Sequence, residues 1–319
     1  MIRIAHIINP VKVNQISDLF LAQPITFQSI LNAKKNASNS ENIELFTTQF
    51  EEDREIIPKE FTVLQNLERS ILDIDSNLKN RKLPLIKDIL ERLFQVSNAD
   101  FFIYTNADIG LMPNFYSEVL KILETEKSDA IIINRRRLKA IYKNTEQLKE
   151  IYKDNGKSHP GFDCFVFKRN LLEKFVLDEI CVGIPFLGVS LAYNIFSFSN
   201  KPIYIFDKHL TFHIGMDVLP ERNNSFYKHN FNSFFHKIKP QLKTHFSLAH
   251  FPYANNHWTV QLFKFGLNPS LSIRDFLEMK FPKTFKTRKQ LPIASYTSKA
   301  SLFKLKSWLN EIRWRLLEK

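Results

Sequence analysis

The sequence predicts an α/β protein: an open, mostly parallel sheet flanked by helices, followed by a basic helical extension. Three observations carry this. Short apolar runs alternate with stretches of helical periodicity through the first half of the chain, the pattern that covers a parallel sheet with helices. The composition is globular, with 44% hydrophobic, 13% aromatic and 24% charged residues, which excludes a disordered or low-complexity chain. The formal charge of +12 is segregated, because 12 Lys/Arg stand against 4 Asp/Glu between Leu271 and Lys319.

The elements follow in order. Ile2 to Ile8 reads as the first strand, and Gln23 to Ala37 as a helix with Phe27, Ile30, Leu31 and Lys34 at helical offsets. Asn42 to Phe50 reads as the second strand. Leu64, Leu67, Ile71 and Leu72 predict a helix over Phe61 to Ile74. Leu85, Ile86, Ile89, Leu90, Leu93 and Phe94 predict another over Leu83 to Val96, with Pro84 suited to its first turn. Asp100 to Asn106 is an apolar strand breaking into Ala107-Asp108-Ile109-Gly110. Pro113 starts a helix, and Asp129 to Asn134 is a further strand.

Beyond His159 the residues Phe162 to Phe167 alternate as a strand, and a helix follows. Ile180 to Asn200 carries no charge, yet it contains Gly183, Pro185 and Gly188, so it reads as a loop leading into a core helix, in preference to a membrane span. Short strands are expected at Pro202 to Phe206 and Leu210 to Ile214. A boundary near residue 235 separates a domain of residues 1–235 from a basic, aromatic-rich, mostly helical extension, 236–319, whose last helix runs from Ser301 to Leu317.

Composition also excludes function classes. With only seven glycines, no G-x-G-x-x-G or Walker loop can be written. Cys164 and Cys181 have no C-x-x-C spacing, which rules out a cysteine-rich zinc module and a disulfide framework and fits a reducing, cytoplasmic compartment. The residues after Met1 read as a strand, not a secretory signal.

Open sheets bind ligands outside the carboxyl ends of their strands, and Asn106 and Asp108 belong there. A carboxylate at that place can seat a divalent cation with a substrate diphosphate. An Asx turn closing the strand explains the same three residues. Gly110, Gly161, Gly183, Gly188 and Gly215 cluster within one stretch and mark either site loops or ordinary turns. His213, on a short strand, can ligate a metal or donate to a phosphate oxygen, or serve structure alone. Arg135-Arg136-Arg137 is either an anion site or a solvated run. In the tail, Phe276, Phe281, Phe285, Trp308 and Trp314 lie among cations, the composition of a segment that meets an anionic membrane surface. Single-stranded nucleic acid is the less favoured partner, because no recognised nucleic-acid motif accompanies these residues.

Four pieces occur in sequence: Tyr104-Thr-Asn106-Ala-Asp108-Ile-Gly110, His159-Pro-Gly161-Phe-Asp163-Cys-Phe-Val-Phe-Lys-Arg169, Val182-Gly183-Ile-Pro185-Phe-Leu-Gly188 and Leu210-Thr-Phe-His213-Ile-Gly-Met-Asp217. Together, over roughly residues 1 to 230, they resemble nucleotide-sugar-dependent glycosyltransferases of the GT-A fold, particularly bacterial and plant members with a variant Asp-x-Asp motif. The resemblance implies that Asp108 holds the metal and diphosphate. Asn106, in place of the first acid, would face the ribose or donor sugar. His213 would reach the diphosphate or metal, and Asn9, Pro10, Arg81 and Gly161 would line the donor. Because Asn106 removes a negative charge, the expected divalent cation (Mn or Mg) is weakly bound or dispensable.

An inverting transfer needs a carboxylate to deprotonate the acceptor. The Trp-Asp-Asn that many relatives show after the Gly-x-Pro loop is here Leu187-Gly188-Val189. Asp163 is the substitute expected as catalytic residue, with Asp178 and Glu179 next; a retaining mechanism or an inactive relative stays open. The resemblance therefore implies a glycosyltransferase moving a sugar from a nucleoside-diphosphate donor to a saccharide or lipid-linked saccharide, in cell-surface polysaccharide or glycan assembly. It would work in the cytoplasm, peripheral to the inner face of the membrane. The alternatives are a nucleotidyltransferase of the same fold and a non-enzymatic nucleic-acid- or membrane-binding module.

Overall fold

The computed structural model describes residues 1–138, 141–159, 161–206, 208–214, 225–242, 245–246, 254–267 and 277. The chain divides into two compact units, Met1–Phe246 and Ser247–Lys319.

In the first unit the elements run β1 (Ile4–Ile8), α1 (Leu19–Asn36), β2 (Ile43–Thr47), β3 (Thr62–Val63), α2 (Ile71–Ile74), α3 (Ile86–Val96), β4 (Phe101–Thr105), β5 (Ile109–Leu111), α4 (Phe115–Glu126), β6 (Ala130–Ile133) and β7 (Arg136–Arg137). They continue with α5 (Leu148–Lys153), β8 (Lys157–Ser158), β9 (Cys164–Lys168), α6 (Leu187–Phe198), β10 (Pro202–Ile205), β11 (Thr211–His213), α7 (Ser225–Asn232), a π-helical segment (Ser233–Ile238) and α8 (Lys239–Leu242). In the second unit the described helix is α9 (Trp258–Leu267), whose buried Gln261 donates to the Asn256 carbonyl at 2.8 Å.

Seven strands form one open sheet in the order β10-β6-β9-β4-β1-β2-β3, and β5-β11-β7-β8 form a second, smaller sheet. The larger sheet is parallel except at β9, which runs antiparallel to β4 and β6. This is the open, mostly parallel sheet that the alternating pattern predicts. Its strands β1, β4, β6 and β9 are buried along almost their whole length, as strands covered on both faces must be. One core cluster joins Ile4, Ile8, Ile103, Ile131 and Val166 of the sheet to Phe27 and Ile30 of α1 and to Phe115 and Val119 of α4.

The uncharged stretch from Ile180 becomes a loop and then α6, twelve residues long and largely buried. The loop is held by Asn230 of α7, fully buried, which accepts from the Cys181 amide at 3.0 Å and donates to the Cys181 and Pro185 carbonyls at 3.0 and 3.1 Å. Among the described residues no helix is long and apolar enough to cross a membrane.

One predicted helix is corrected. Phe61 to Ile74 is not helical: it holds the short β3, an extended stretch, and then the single turn α2. Phe61, Leu64, Leu67 and Ile71 are all buried, so the apolar spacing does mark a core-facing segment. The backbone satisfies itself elsewhere, however: the Leu64 amide donates to the Thr47 carbonyl and the Leu67 amide to that of Gln49, both at 2.8 Å. Pairing with the neighbouring chain replaces the internal helical bonds.

Candidate active site

The register of β9 assembles the site. Cys164 pairs with Thr105 on one side and Ile133 on the other, so the residues just past those pairs, Asn106, Asp163 and Asn134, lie side by side at one edge of the sheet. That edge is the carboxyl end of β1, β4 and β6, where an open α/β sheet takes its ligands.

Asp108 stands between β4 and β5, and His213 ends β11, which pairs antiparallel with β5 through His213 and Ile109. The two side chains meet. His213 Nε2 lies 3.1 Å from Asp108 Oδ2, within hydrogen-bonding distance. The His213 side chain is only 9% exposed and that of Asp108 29%, so the pair is recessed but reachable. The other carboxylate oxygen, Asp108 Oδ1, is buried and has no hydrogen-bond partner among the described residues. The backbone tightens the pair, because the Ile214 amide donates to the Asp108 carbonyl at 3.2 Å.

These donors suit a divalent cation that also binds substrate. One carboxylate and one imidazole are too few for a closed site, and among the described residues no group of three or more His, Cys, Asp or Glu side chains could hold a metal. Mg and Mn commonly keep one or two protein ligands and fill the remaining positions with phosphate oxygens and water. Asn106 sits apart from the pair: its Oδ1 accepts from the Tyr104 hydroxyl at 2.8 Å. Burial, and then the Asp108 charge, keep that phenol protonated well above its ordinary range.

Asp163 occupies a different environment. It is 5% exposed, its Oδ1 is ion-paired with Arg135 Nη1, and its Oδ2 accepts from the Arg135 amide at 3.1 Å. Burial by itself would raise the carboxyl; the His159 ring, the Arg135 charge and the Arg135 amide outweigh it and hold the group below the usual aspartate range. The His159 Nδ1 lies 3.8 Å away and already accepts from the Gly161 amide at 3.0 Å, so Arg135 carries the pairing. Both carboxylate oxygens are thus engaged by Arg135, through its guanidinium and its backbone amide. The two substitute acids are also engaged. Asp178, at φ 45°, pairs with Lys237 at 3.3 Å, and Glu179 pairs with Arg69 at 3.3 Å.

The three arginines are not a solvated run. Arg135 is largely buried against Asp163, while Arg136 and Arg137 form β7, beside β11, with Arg137 paired to His213 and Arg136 to Phe212. The strand that carries Arg136 and Arg137 thus runs beside the strand that carries His213. This could not be read from the sequence, because it depends on the pairing of β7 with β11.

The other expected donor residues are spread along the same edge or away from it. Asn9 closes β1 and donates from Nδ2 to the Thr48 carbonyl at 2.6 Å, which ties the ends of β1 and β2; Pro10 beside it is buried. Arg81 is exposed, with its guanidinium 5.8 Å from the Phe226 ring centre, and makes no described contact with the pair. Among the glycines, Gly110 serves close packing, since a Cβ there would lie 2.2 Å from the Phe212 ring. Gly183 adopts φ +78°, a conformation that L side chains rarely take, and Gly215 lies outside the described residues.

The fold and these residues define an α/β protein with a carboxylate and imidazole pair at the carboxyl edge of an open sheet, beside a strand that carries two arginines. No family model matches the chain, and no curated protein matches it. Among solved structures it is similar to residues 1–349 of S. aureus TarS in complex with UDP-GlcNAc, at 11% identity over 87% of this chain and 81% of that one, with a TM-score of 0.45. It is also similar to M. tuberculosis glucosyl-3-phosphoglycerate synthase in complex with Mg2+ and UDP, at 11% identity over 74% and 79% of the two chains, with a TM-score of 0.43.

Proposed function

We propose that the chain is a glycosyltransferase of the GT-A kind, which moves a sugar from a nucleoside diphosphate to a saccharide acceptor. One observation carries the reading: Asp108 and His213, 105 residues apart in the chain, meet at 3.1 Å where a substrate diphosphate would lie on an open α/β sheet. Two of the sequence motifs that resemble the family, those around Asp108 and His213, meet here.

In this reading Asp108 and neutral His213 hold a Mn or Mg ion. The ion, when bound, neutralises charge as the nucleoside diphosphate departs. Arg136 and Arg137 of β7 contribute positive potential beside the diphosphate. Asn106, through its amide, faces the ribose or donor sugar, and Asn9 and Gly161 line the donor's path. Asp163 acts by fixing Arg135, so the deprotonation of the acceptor falls to another group, or the chemistry is retaining. Arg81 is kept as an outer contact to the nucleotide.

The saccharide or lipid-linked acceptor, the role in cell-surface glycan assembly and a cytoplasmic site beside an anionic membrane belong to the same proposal. The basic tail that supports the membrane contact, and that would equally support a nucleic-acid module, lies outside the described residues. No described feature favours that alternative or a nucleotidyltransferase.

The experiment is thermal denaturation of the full chain against a panel of UDP- and GDP-sugars, with Mn, Mg or chelator, alongside donor hydrolysis. Stabilisation by a nucleoside diphosphate supports the reading. Stabilisation by RNA alone, with no response to any nucleotide, overturns it. Full activity in chelator removes the metal from the proposal and leaves the transfer reaction.

A further inference from the structure

One end of the larger sheet carries an exposed aromatic surface that the donor site does not use. β10 is the edge strand, paired in parallel with β6 so that Ile205 faces Ile133. Phe206, the next residue, therefore emerges at the same carboxyl edge as Asn134, Arg135 and Asp163. The residue is 57% exposed. It stacks on Tyr204, two residues earlier on the same face of the strand, with ring centres 5.8 Å apart and planes 26° from parallel. Phe162 meets Tyr204 edge-on at 5.5 Å, and the Tyr204 hydroxyl donates to the Gly161 carbonyl at 3.3 Å.

The exposed ring is held in place. The Phe206 carbonyl accepts from Ser158 Oγ at 2.8 Å and from Asn134 Nδ2 at 3.3 Å, and the same Asn134 amide donates to the His159 carbonyl at 2.6 Å. Asn134 is 1% exposed, while the Ser158 bond lies at the surface. Its own carbonyl accepts from Thr211 Oγ1 at 2.8 Å, and Thr211 lies two residues before His213 on β11. A short chain of hydrogen bonds thus connects the platform to the strand that bears the donor-site histidine.

We infer that Phe206, backed by Tyr204, is the platform on which the acceptor sugar ring lies. A pyranose has an apolar face of C–H bonds and a rim of hydroxyls, and it is recognised by an aromatic face with polar groups around it. Phe206 supplies the face. The rim is supplied by Ser158, His159 and the edge of the Arg135 and Asp163 pair. The inference rests on the transferase reading and names the subsite of its second substrate.

The test is saturation-transfer NMR on the full chain with methyl glycosides of glucose, galactose and N-acetylglucosamine, comparing the wild type with Phe206→Ala and Phe206→Trp. Because Phe206 is mostly exposed, neither change should disturb folding, and thermal denaturation checks this. The expected result is transfer to the ring C–H protons of at least one glycoside, retained in Phe206→Trp and about tenfold weaker in Phe206→Ala. Equal transfer in Phe206→Ala and wild type overturns the inference, as does the absence of transfer from wild type to any of the three. A change in oligomeric state on Phe206→Ala with unaltered sugar contact would make the ring a protein-contact residue and also overturn it. Nucleotide stabilisation of the wild type, read separately, reports on the transferase proposal. Its failure alone would leave a sugar-binding edge with no donor site.

Discussion

Asp108 and His213 reach each other because β11 lies beside β5: pairing His213 with Ile109 puts Nε2 3.1 Å from Asp108 Oδ2. Asp108 Oδ1 is left buried with no hydrogen-bond partner among the described residues. Such an oxygen costs about 1–3 kcal/mol of desolvation unless a bound group compensates it.

Asp108→Asn tests that compensation. The amide keeps the shape and loses the charge, so the chain should fold normally while cation-dependent stabilisation by UDP or GDP disappears. At ligand 100-fold above Kd that stabilisation is about 2.7 kcal/mol in the wild type. Differential scanning fluorimetry with Mn and with chelator reads it, and an undiminished shift in the variant would remove Asp108 from the site.

The Arg135 and Asp163 pair, 18% and 6% exposed at the side chains, should behave as a buried ion pair. Asp163→Asn leaves the guanidinium uncompensated and should cost about 3 kcal/mol in urea denaturation. Combining it with Arg135→Met should restore most of that loss. If Asp163→Asn abolishes donor-dependent transfer at unchanged stability, Asp163 is chemical after all.

Gly110→Ala places a methyl 2.2 Å from the Phe212 ring, between β5 and β11. Overpacking of this kind costs about 1–3 kcal/mol, and here it should also push the strand bearing His213 away from Asp108. A lower melting temperature with weakened nucleotide stabilisation is expected, and Phe212→Leu in the same chain should relieve both. Wild-type stability in Gly110→Ala alone would mean that the two strands are looser than described.

His6, fully buried on β1 and bonded to the Tyr116 hydroxyl at 2.7 Å and Thr105 Oγ1 at 2.9 Å, has its pKa pushed down by burial to about 3. The unfolded chain takes up that proton near the ordinary histidine value of about 6.5. The contribution is therefore complete above about 6.5 and drains away as pH falls toward about 3, at roughly 1.4 kcal/mol per pH unit. His6→Asn should flatten stability between pH 6.5 and 4.5 relative to wild type, measured by urea midpoint. Parallel curves would show that the His6 proton is not linked to folding.

Much of the larger sheet was legible in the sequence because buried parallel strands read as unbroken apolar runs, as in Phe101 to Thr105 and Ala130 to Ile133. Asp108 and His213 were legible through residue type and placement beside such runs. The helix expected over Phe61 to Ile74 failed for a physical reason: the burial of Leu64 and Leu67 is the same in a helix as in an extended segment bonded to β2. The arginine run was ambiguous because its meaning depends on which strand lies next to β7.

The order of residues along the chain was enough to determine the class of fold and to place Asp108 just past a strand end and His213 on a short strand, since hydrophobic period and strand-end chemistry are local properties. Tertiary structure alone decided that Asp163 is bound by Arg135, that Gly110 makes room for Phe212, and that Phe206 stands exposed beside Asn134. Those relations join residues 28, 102 and 72 positions apart. They arise from strand register and packing density, which no neighbouring residue specifies.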